Sequence, residues 1–299
     1  MSKKNIVVFG GSGFLGSHVA DELTLAGYDV KIFDTVKSPW INDKQEMIVG
    51  DILDSEAVKK VTVGAHAVYN FAALSDINEA LNQPLKTMNI NILGNGHILE
   101  SCRLNKVKRY LYASTVYVFS REGGFYRCSK QAAESYVEEY KNLFGLDYTI
   151  LRYGSLYGPR ADAKNGLFNV VKKALETGLI HYQGNADSLR EYIHVQDAAK
   201  ASVVSLGEDF CNQSVTLTGQ EPMRVQDLLK MLAEILGLKD QVHFENKDYV
   251  GHYVRTPYAY QSKLGRKYIS PMHVDLGQGL LQLIHEVKNS GANIQEKFK

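Results

Sequence analysis

Along the first half of the chain, short runs of β-branched and aromatic residues alternate with longer stretches in which apolar positions recur every three or four residues. That rhythm predicts a parallel sheet joined by crossover helices. It places strands at 6–9, 30–33, 47–49, 67–71, 110–113 and 148–151. Between the first two, a helix at 14–26 sets Leu15, Val19 and Leu23 on one face, and Gly27 follows as a stop. Six strands with helices between them make an α/β fold, a doubly wound parallel sheet with helices on both faces.

After Arg152 the pattern loosens into helices at 168–177, 197–206 and 225–236, a short strand near Ile193, and a tail at 249–271 that is rich in tyrosine and poor in periodicity. The expected organisation is a nucleotide-binding domain at 1–155, a segment at about 190–215 that returns to it, and a smaller C-terminal substrate lobe over 156–299. The balance of 34 basic and 33 acidic residues leaves a net charge of +1, too little field to draw in nucleic acid or an anionic membrane, so neither is an expected partner. Cys102, Cys128 and Cys211 lack metal-type spacing and any CxxC pair, which predicts no metal site and a reducing, cytoplasmic setting. The N-terminus runs straight into a strand, and no apolar stretch reaches the roughly 18 residues of a membrane span, so a soluble, unprocessed protein is expected.

Candidate chemistry begins at Gly10-Gly11-Ser12-Gly13-Phe14-Leu15-Gly16, between the first strand and the first helix. Without Cβ atoms the backbone can turn sharply and approach a pyrophosphate, while the helix start offers free N–H groups to its charge. A glycine run alone also suits a tight turn; its place between strand and helix favours a Rossmann-type dinucleotide site. Asp34 closes the second strand 18 residues after Gly16, where an acid accepts hydrogen bonds from an adenosine ribose. Its charge would repel a 2′-phosphate, which favours NAD, although Lys31 and Lys37 leave NADP open on these residues alone. Asp51, in Gly50-Asp51-Ile52 after the third strand, is placed to meet the adenine amino group.

The fifth strand ends in Ala113-Ser114-Thr115, and Tyr126 and Lys130 follow on a helical pattern. Four residues apart, they share a helix face, so the ammonium can lie beside the phenol and favour its ionised form. A phenol with a pKa of about 10 is otherwise too weakly ionised at neutral pH to act as a base. Among 18 tyrosines this is the only Tyr-x-x-x-Lys pair, and it follows a hydroxyl-bearing strand end at the sheet edge where α/β folds bind ligands.

In these residues the chain resembles the extended short-chain dehydrogenase/reductases, in the branch of NAD-dependent nucleotide-sugar epimerases, dehydratases and 4-dehydrogenases. Gly10, Gly13 and Gly16, with Phe14 and Leu15, match the family's phosphate loop, Asp34 its ribose acid, and Asp51 and Ile52 its adenine segment. Phe71, Ala72 and Ala73 match its nicotinamide-side motif, and Asn91, three before Gly94, its helix asparagine. The segment from Ser114 through Thr115 to Ser120 is similar to STxxVYG, and Tyr126 with Lys130 to YxxxK. Residues 151–160 resemble LRYFNVYGPR, which passes from cofactor at Tyr153 to substrate at Ser155 and Arg160. Residues 190–197 resemble RDYIHVxD, whose arginine, here Arg190, meets the nucleotide diphosphate.

The resemblance implies NAD as cofactor, a nucleotide sugar as substrate, Thr115, Tyr126 and Lys130 as catalytic residues, and a homodimer paired through a four-helix bundle. Ser114, Tyr126, Lys130 and Tyr153 would also touch the cofactor. Three departures stand out. The stretch from Thr115 to Tyr126 is about half the family's usual length, removing a loop that helps cover the sugar. Ser155 replaces an asparagine, and Tyr249 stands where a late arginine would, so Arg190 and Arg160 would carry more of the diphosphate. Val116 and Tyr117 replace the acidic pair of the dehydratases. The expected function is oxidoreduction at C4 of a nucleotide sugar, with 4-epimerase ahead of a hexose or heptose 4-dehydrogenase, and a 4,6-dehydratase or a non-catalytic NAD sensor behind both. The rings of Tyr192, His194, His252, Tyr253, Tyr258 and Tyr260 are read as lobe packing.

Overall fold

Runs of Val, Ile, Phe and Tyr form the strands β1 (Asn5–Phe9), β2 (Asp29–Asp34), β3 (Gln45–Val49), β4 (Ala67–Asn70), β5 (Arg109–Thr115) and β6 (Tyr148–Tyr153). Four short strands leave this sheet, β7 (Ser155–Tyr157), β8 (Ile180–Gln183), β9 (Leu189–Arg190) and β10 (Tyr192–His194); β11 (Gln213–Leu217) returns to its edge, followed by β12 (Met223–Arg224) and β13 (Val242–Glu245). The computed structural model describes residues 4–238, 241–245 and 252–257. Met1–Gln261 form one unit, and a second, Ser262–Lys299, lies outside the described residues.

The main sheet has seven strands in the order β11-β6-β5-β4-β1-β2-β3, and every pairing is parallel. All residues of β4 and β5 are buried, including the polar Asn70, Arg109, Ser114 and Thr115 at their ends. The seventh strand is one more than the sequence pattern predicts. At the edge, beside β6, β11 keeps Gln213, Ser214 and Thr216 exposed, and Val215 and Leu217 are too few apolar positions to mark a strand.

The helices are α1 (Phe14–Leu25), α2 (Ser55–Val61), α3 (Ile77–Asn82), α4 (Pro84–Met88), α5 (Asn95–Leu104), α6 (Gly124–Phe144), α7 (Gly166–Thr177), α8 (Val195–Val204) and α9 (Val225–Leu236). Val19 and Leu23 of α1 with Ala198 and Ala199 of α8 cover one face of the sheet, against Ile6, Val8 and Ile32. On the other face Val58, Ile98, Leu99, Ala133 and Val137, from α2, α5 and α6, pack on Val7, Phe9 and Phe33. Two helix starts come earlier than the apolar pattern alone places them, because Asn165 and His194 cap α7 and α8 with their side chains. A separate small core of Ala174, Ile180, Val225, Leu229 and Ala233 holds α7, β8 and α9 together. Among the described residues no helix is long and apolar enough to cross a membrane.

Candidate active site

The strand order puts β1 beside β4 at the point where the sheet's winding reverses, and the loops after these two strands meet there. Gly10 has φ +75°, and a Cβ on it would lie 2.5 Å from the Ala72 nitrogen. A Cβ on Gly16 would strike the Gly10 carbonyl oxygen, and one on Gly13 would come within 3.3 Å of the same atom. Phe14 and Leu15 open α1 directly above this turn. The Asp34 carboxylate accepts a hydrogen bond from the Ser12 nitrogen at 3.0 Å, which fixes the acid beside the glycine loop. A tight backbone cradle at a helix start with one carboxylate beside it fits the phosphates and ribose of a dinucleotide.

Neighbouring residues are more occupied. Asp51 caps its own turn through the Leu53 nitrogen at 2.9 Å, and Ile52 is buried against Gly94. Ala72 and Ala73 are half-buried after β4, and Phe71 stacks on Tyr69. Asn91 accepts from the Leu74 nitrogen at 2.7 Å and donates to the Leu74 carbonyl and the Ser129 hydroxyl. It thereby ties the segment after β4 to α6 from a π-helical turn at Asn89–Gly94. Tyr153 lines the cleft with its ring but directs its hydroxyl to Ser202 at 2.6 Å.

Thr115 ends β5, and Tyr126 and Lys130 lie in the first turns of α6. The Thr115 hydroxyl accepts from the Tyr117 nitrogen at 3.3 Å and is near enough to the Tyr126 phenol to lower its pKa. Lys130 is buried; its Nζ donates to the Ala113 carbonyl at 2.7 Å and lies 5.9 Å from the centre of the Tyr126 ring. Desolvation pushes the Tyr126 phenol up to about 12, with the Thr115 hydroxyl pulling the other way. It also draws the Lys130 ammonium down to about 7, opposed by the charge of Glu134. Burial thus favours the neutral form of both groups, so a phenolate needs, beside Lys130, the further positive charge that a bound nicotinamide would supply.

Glu134 was not singled out by the sequence patterns, although it stands four residues beyond Lys130 on the same helix face. It accepts from the Ser114 hydroxyl at 2.5 Å and from Arg152 at 3.0 and 2.7 Å. That grip locks α6 to the ends of β5 and β6 and occupies the Ser114 side chain.

Thr115, Tyr126, Ser155 and Arg190 line one cleft of about 1200 Å³. The Arg190 guanidinium rests over the Tyr253 ring, 4.3 Å from its centre. Arg160, expected beside the diphosphate, is held elsewhere: it pairs with Asp21 of α1 at 2.7 Å, lies over Trp40, and does not line the cleft. Tyr249 lies outside the described residues, as do Tyr258 and Tyr260. His252, Tyr253 and Tyr192, expected as packing, also line the cleft, Tyr253 while buried against Tyr117 and Arg190. The Tyr117 hydroxyl lies 2.9 Å from His252 Nδ1, and its ring packs on Tyr253 with centres 4.6 Å apart.

Residues 6–214 match the model of the NAD dependent epimerase/dehydratase family. A Methanocaldococcus jannaschii protein named "Putative UDP-glucose 4-epimerase" is 27% identical over 310 aligned residues, spanning 95% of this chain and 99% of the relative. The structure of a Thermotoga maritima UDP-glucose 4-epimerase with UDP-glucose is 26% identical, with a TM-score of 0.78 over 86% of this chain and 90% of that one. A Bacillus cereus UDP-glucuronic acid 4-epimerase, solved with UDP-glucuronic acid and NAD, is 23% identical and shares the fold with a TM-score of 0.78 over 85% of this chain and 90% of its own. The chain belongs to the NAD dependent epimerase/dehydratase family, and is an enzyme of the extended short-chain dehydrogenase/reductase type with NAD as its cofactor.

Proposed function

We propose that the chain is a nucleotide-sugar 4-epimerase, acting at C4 of a UDP-hexose. The observation that carries this reading is the meeting of Thr115 and Tyr126 on the wall of a cleft at the carboxyl edge of the sheet, with Lys130 buried behind the Tyr126 ring, in a cleft that also presents Ser155 and Arg190. Gly10, Gly13, Gly16 and Asp34 would hold the dinucleotide, with the segment at Phe71, Ala72 and Ala73 on its nicotinamide side. When bound, NAD supplies the hydride acceptor and a positively charged ring near the phenol. Tyr126 removes the C4 hydroxyl proton, and the Thr115 hydroxyl donates to the same oxygen as its charge develops. Lys130 contributes the ammonium that favours the phenolate. Arg190 holds the diphosphate, and Ser155 sits where the sugar and diphosphate join. Re-reduction from the other face of the 4-keto sugar gives the epimer.

Two chains pairing through α5 and α6 belong to the same proposal, and the exposed Tyr136 and Leu143 of α6 offer an apolar strip for it. Sedimentation at micromolar concentration checks the pairing. The reaction itself is tested by incubating the NAD-loaded enzyme with UDP-, GDP- and dTDP-hexoses. A 4-epimerase gives a new sugar signal by NMR with no lasting absorbance of reduced cofactor. Accumulating reduced cofactor would replace this reading with a 4-dehydrogenase.

A further inference from the structure

The proposed function gives the diphosphate to Arg190, and the way this arginine is held sets it apart. Among the described residues four arginines lie over aromatic rings: Arg103 over Phe144, Arg152 over Phe119, Arg160 over Trp40 and Arg190 over Tyr253. The first three also pair with a carboxylate, that of Glu100, Glu134 and Asp21 respectively. Arg190 sits closest to its ring, at 4.3 Å against 4.7 to 4.9 Å for the others. Among the described residues it has no ion pair, and its guanidinium donates only to the Leu189 carbonyl, at 3.2 Å. A carboxylate neutralises the guanidinium it orients, whereas an aromatic face orients it and leaves the charge in place. Of the four, Arg190 alone is fixed in direction and still uncommitted to an anion.

The ring beneath it is fixed as well. Tyr253 is buried and packs on Tyr117 with ring centres 4.6 Å apart, and Tyr117 meets the Tyr126 ring edge-on at 6.4 Å. Two ring contacts therefore connect the seat of Arg190 to the catalytic phenol. The main chain around the seat is tied down on both sides. The Leu189 nitrogen donates to the Val254 carbonyl at 2.7 Å and Leu189 bridges to Arg255, while β9 pairs antiparallel with β12. Lys164 and Lys173 also line the cleft and add to its positive charge, but both are exposed on flexible stems, and His181 lies 3.5 Å from the Glu245 carboxylate. Such groups attract a diphosphate without fixing where it sits.

We propose that Tyr253 is a positioning residue for the substrate's diphosphate: its ring face seats the Arg190 guanidinium, so that the phosphates are held at a set distance from Tyr126. The inference deepens the nucleotide-sugar reading and rests on it for the diphosphate alone, not for the fate of the 4-keto sugar.

The test is calorimetric binding of UDP, dTDP and GDP to the full-length, NAD-loaded enzyme, read on whichever of the three binds most tightly. Tyr253→Phe keeps the ring and should stay within about twofold of wild type. Its mono-, di- and trifluorinated counterparts withdraw charge from the ring face with little change of shape, and should weaken binding stepwise, reaching about fivefold at three fluorines. Tyr253→Leu removes the ring and should cost about tenfold, but nothing further in an Arg190→Ala background. Should Tyr253→Leu misfold by circular dichroism, the fluorinated series carries the test by itself. An affinity unmoved by fluorination, or a Tyr253→Leu loss that is the same with and without Arg190, overturns the proposal and leaves the epimerase reading standing. Absence of binding for all three diphosphates overturns both. The graded loss without turnover of any hexose keeps the seat and removes the epimerase.

Discussion

The glycine loop and the sugar side of the cleft lie at one edge of one sheet, yet they are built from different materials. The loop is backbone: seven consecutive residues make it, and its shape is set by what cannot be present, a Cβ at Gly10 or Gly16. The sugar side is made of side chains, with Tyr117, Tyr126, Arg190, His252 and Tyr253 arriving from segments far apart in the sequence. A backbone site is over-determined and rigid, and its tolerance for substitution is small. A side-chain site can change its ligand one residue at a time without disturbing the sheet that carries it.

The sharpest way to break the first half is Gly16→Val. Three more carbons would have to fit where a single Cβ already meets the Gly10 carbonyl, and the neighbouring atoms are backbone that cannot swing aside. The expected cost is about 4 kcal/mol or more, seen as a fall in thermal stability together with loss of NAD binding. Wild-type melting and an unchanged NAD titration would show that the loop is looser than these contacts require.

Breaking the second half should do the opposite. Tyr126→Phe removes one hydroxyl from the cleft wall and nothing from the core. Turnover of the preferred UDP-hexose should fall by about a thousandfold, with NAD affinity kept within about threefold. Single-turnover kinetics beside a fluorescence titration of NAD separates the two. Substantial residual turnover would remove Tyr126 from the proton path.

These opposite sensitivities match what was legible in the sequence. The glycine spacing, the acid at Asp34, the pair of Tyr126 and Lys130 and most of the sheet could be read directly, since each depends on local periodicity or a short fixed interval. The strand β11 was not, because only Val215 and Leu217 of its five residues are apolar, too short a pattern to stand out. Glu134 escaped because its partners, Ser114 and Arg152, come from two other strands, and only the fold shows that a helix carboxylate bridges them. His252 could be read only as packing for the same reason: the contact of a histidine in an aperiodic tail with Tyr117 is visible only in the fold. Arg160 shows the converse, since its motif position predicts a diphosphate contact while in this structure Asp21 and Trp40 hold it at α1.

Lys130 joins the two halves, being a buried core residue that also serves the cleft. Burial lowers its pKa to about 7, against a higher ordinary value that the unfolded chain retains. Below pH 7 it is protonated in both states, and the folded protein bears the full cost of a buried charge. Above pH 7 the folded state releases the proton before the unfolded state does, so stability rises toward the ordinary lysine value. Lys130→Met should therefore lower turnover by about a hundredfold. It should also stabilise the protein at pH 6, by on the order of 1.4 kcal/mol for each pH unit by which burial displaces the group. That gain should shrink steadily between pH 7 and 10. A pH series of thermal melts checks the sign, and a gain that grew with pH would contradict the buried-ammonium account.

The smallest expected effect separates two arginines that similar motifs treat alike. Arg190 faces the cleft from its seat on Tyr253, whereas Arg160 is already paired with Asp21 and stacked on Trp40. A charge-assisted hydrogen bond to a phosphate contributes about 2 kcal/mol, so Arg190→Ala should weaken UDP binding by roughly thirtyfold. Arg160→Ala takes nothing from the cleft and should leave UDP affinity within about twofold, while its partly buried ion pair costs about 1 kcal/mol of stability after solvent screening. Calorimetry with UDP, which needs no turnover, measures both. Equal losses in the two variants would mean that the segment after β6 swings Arg160 into the cleft when ligand binds, and the division between a backbone-built cofactor half and a side-chain-built sugar half would then have to admit a residue that serves both.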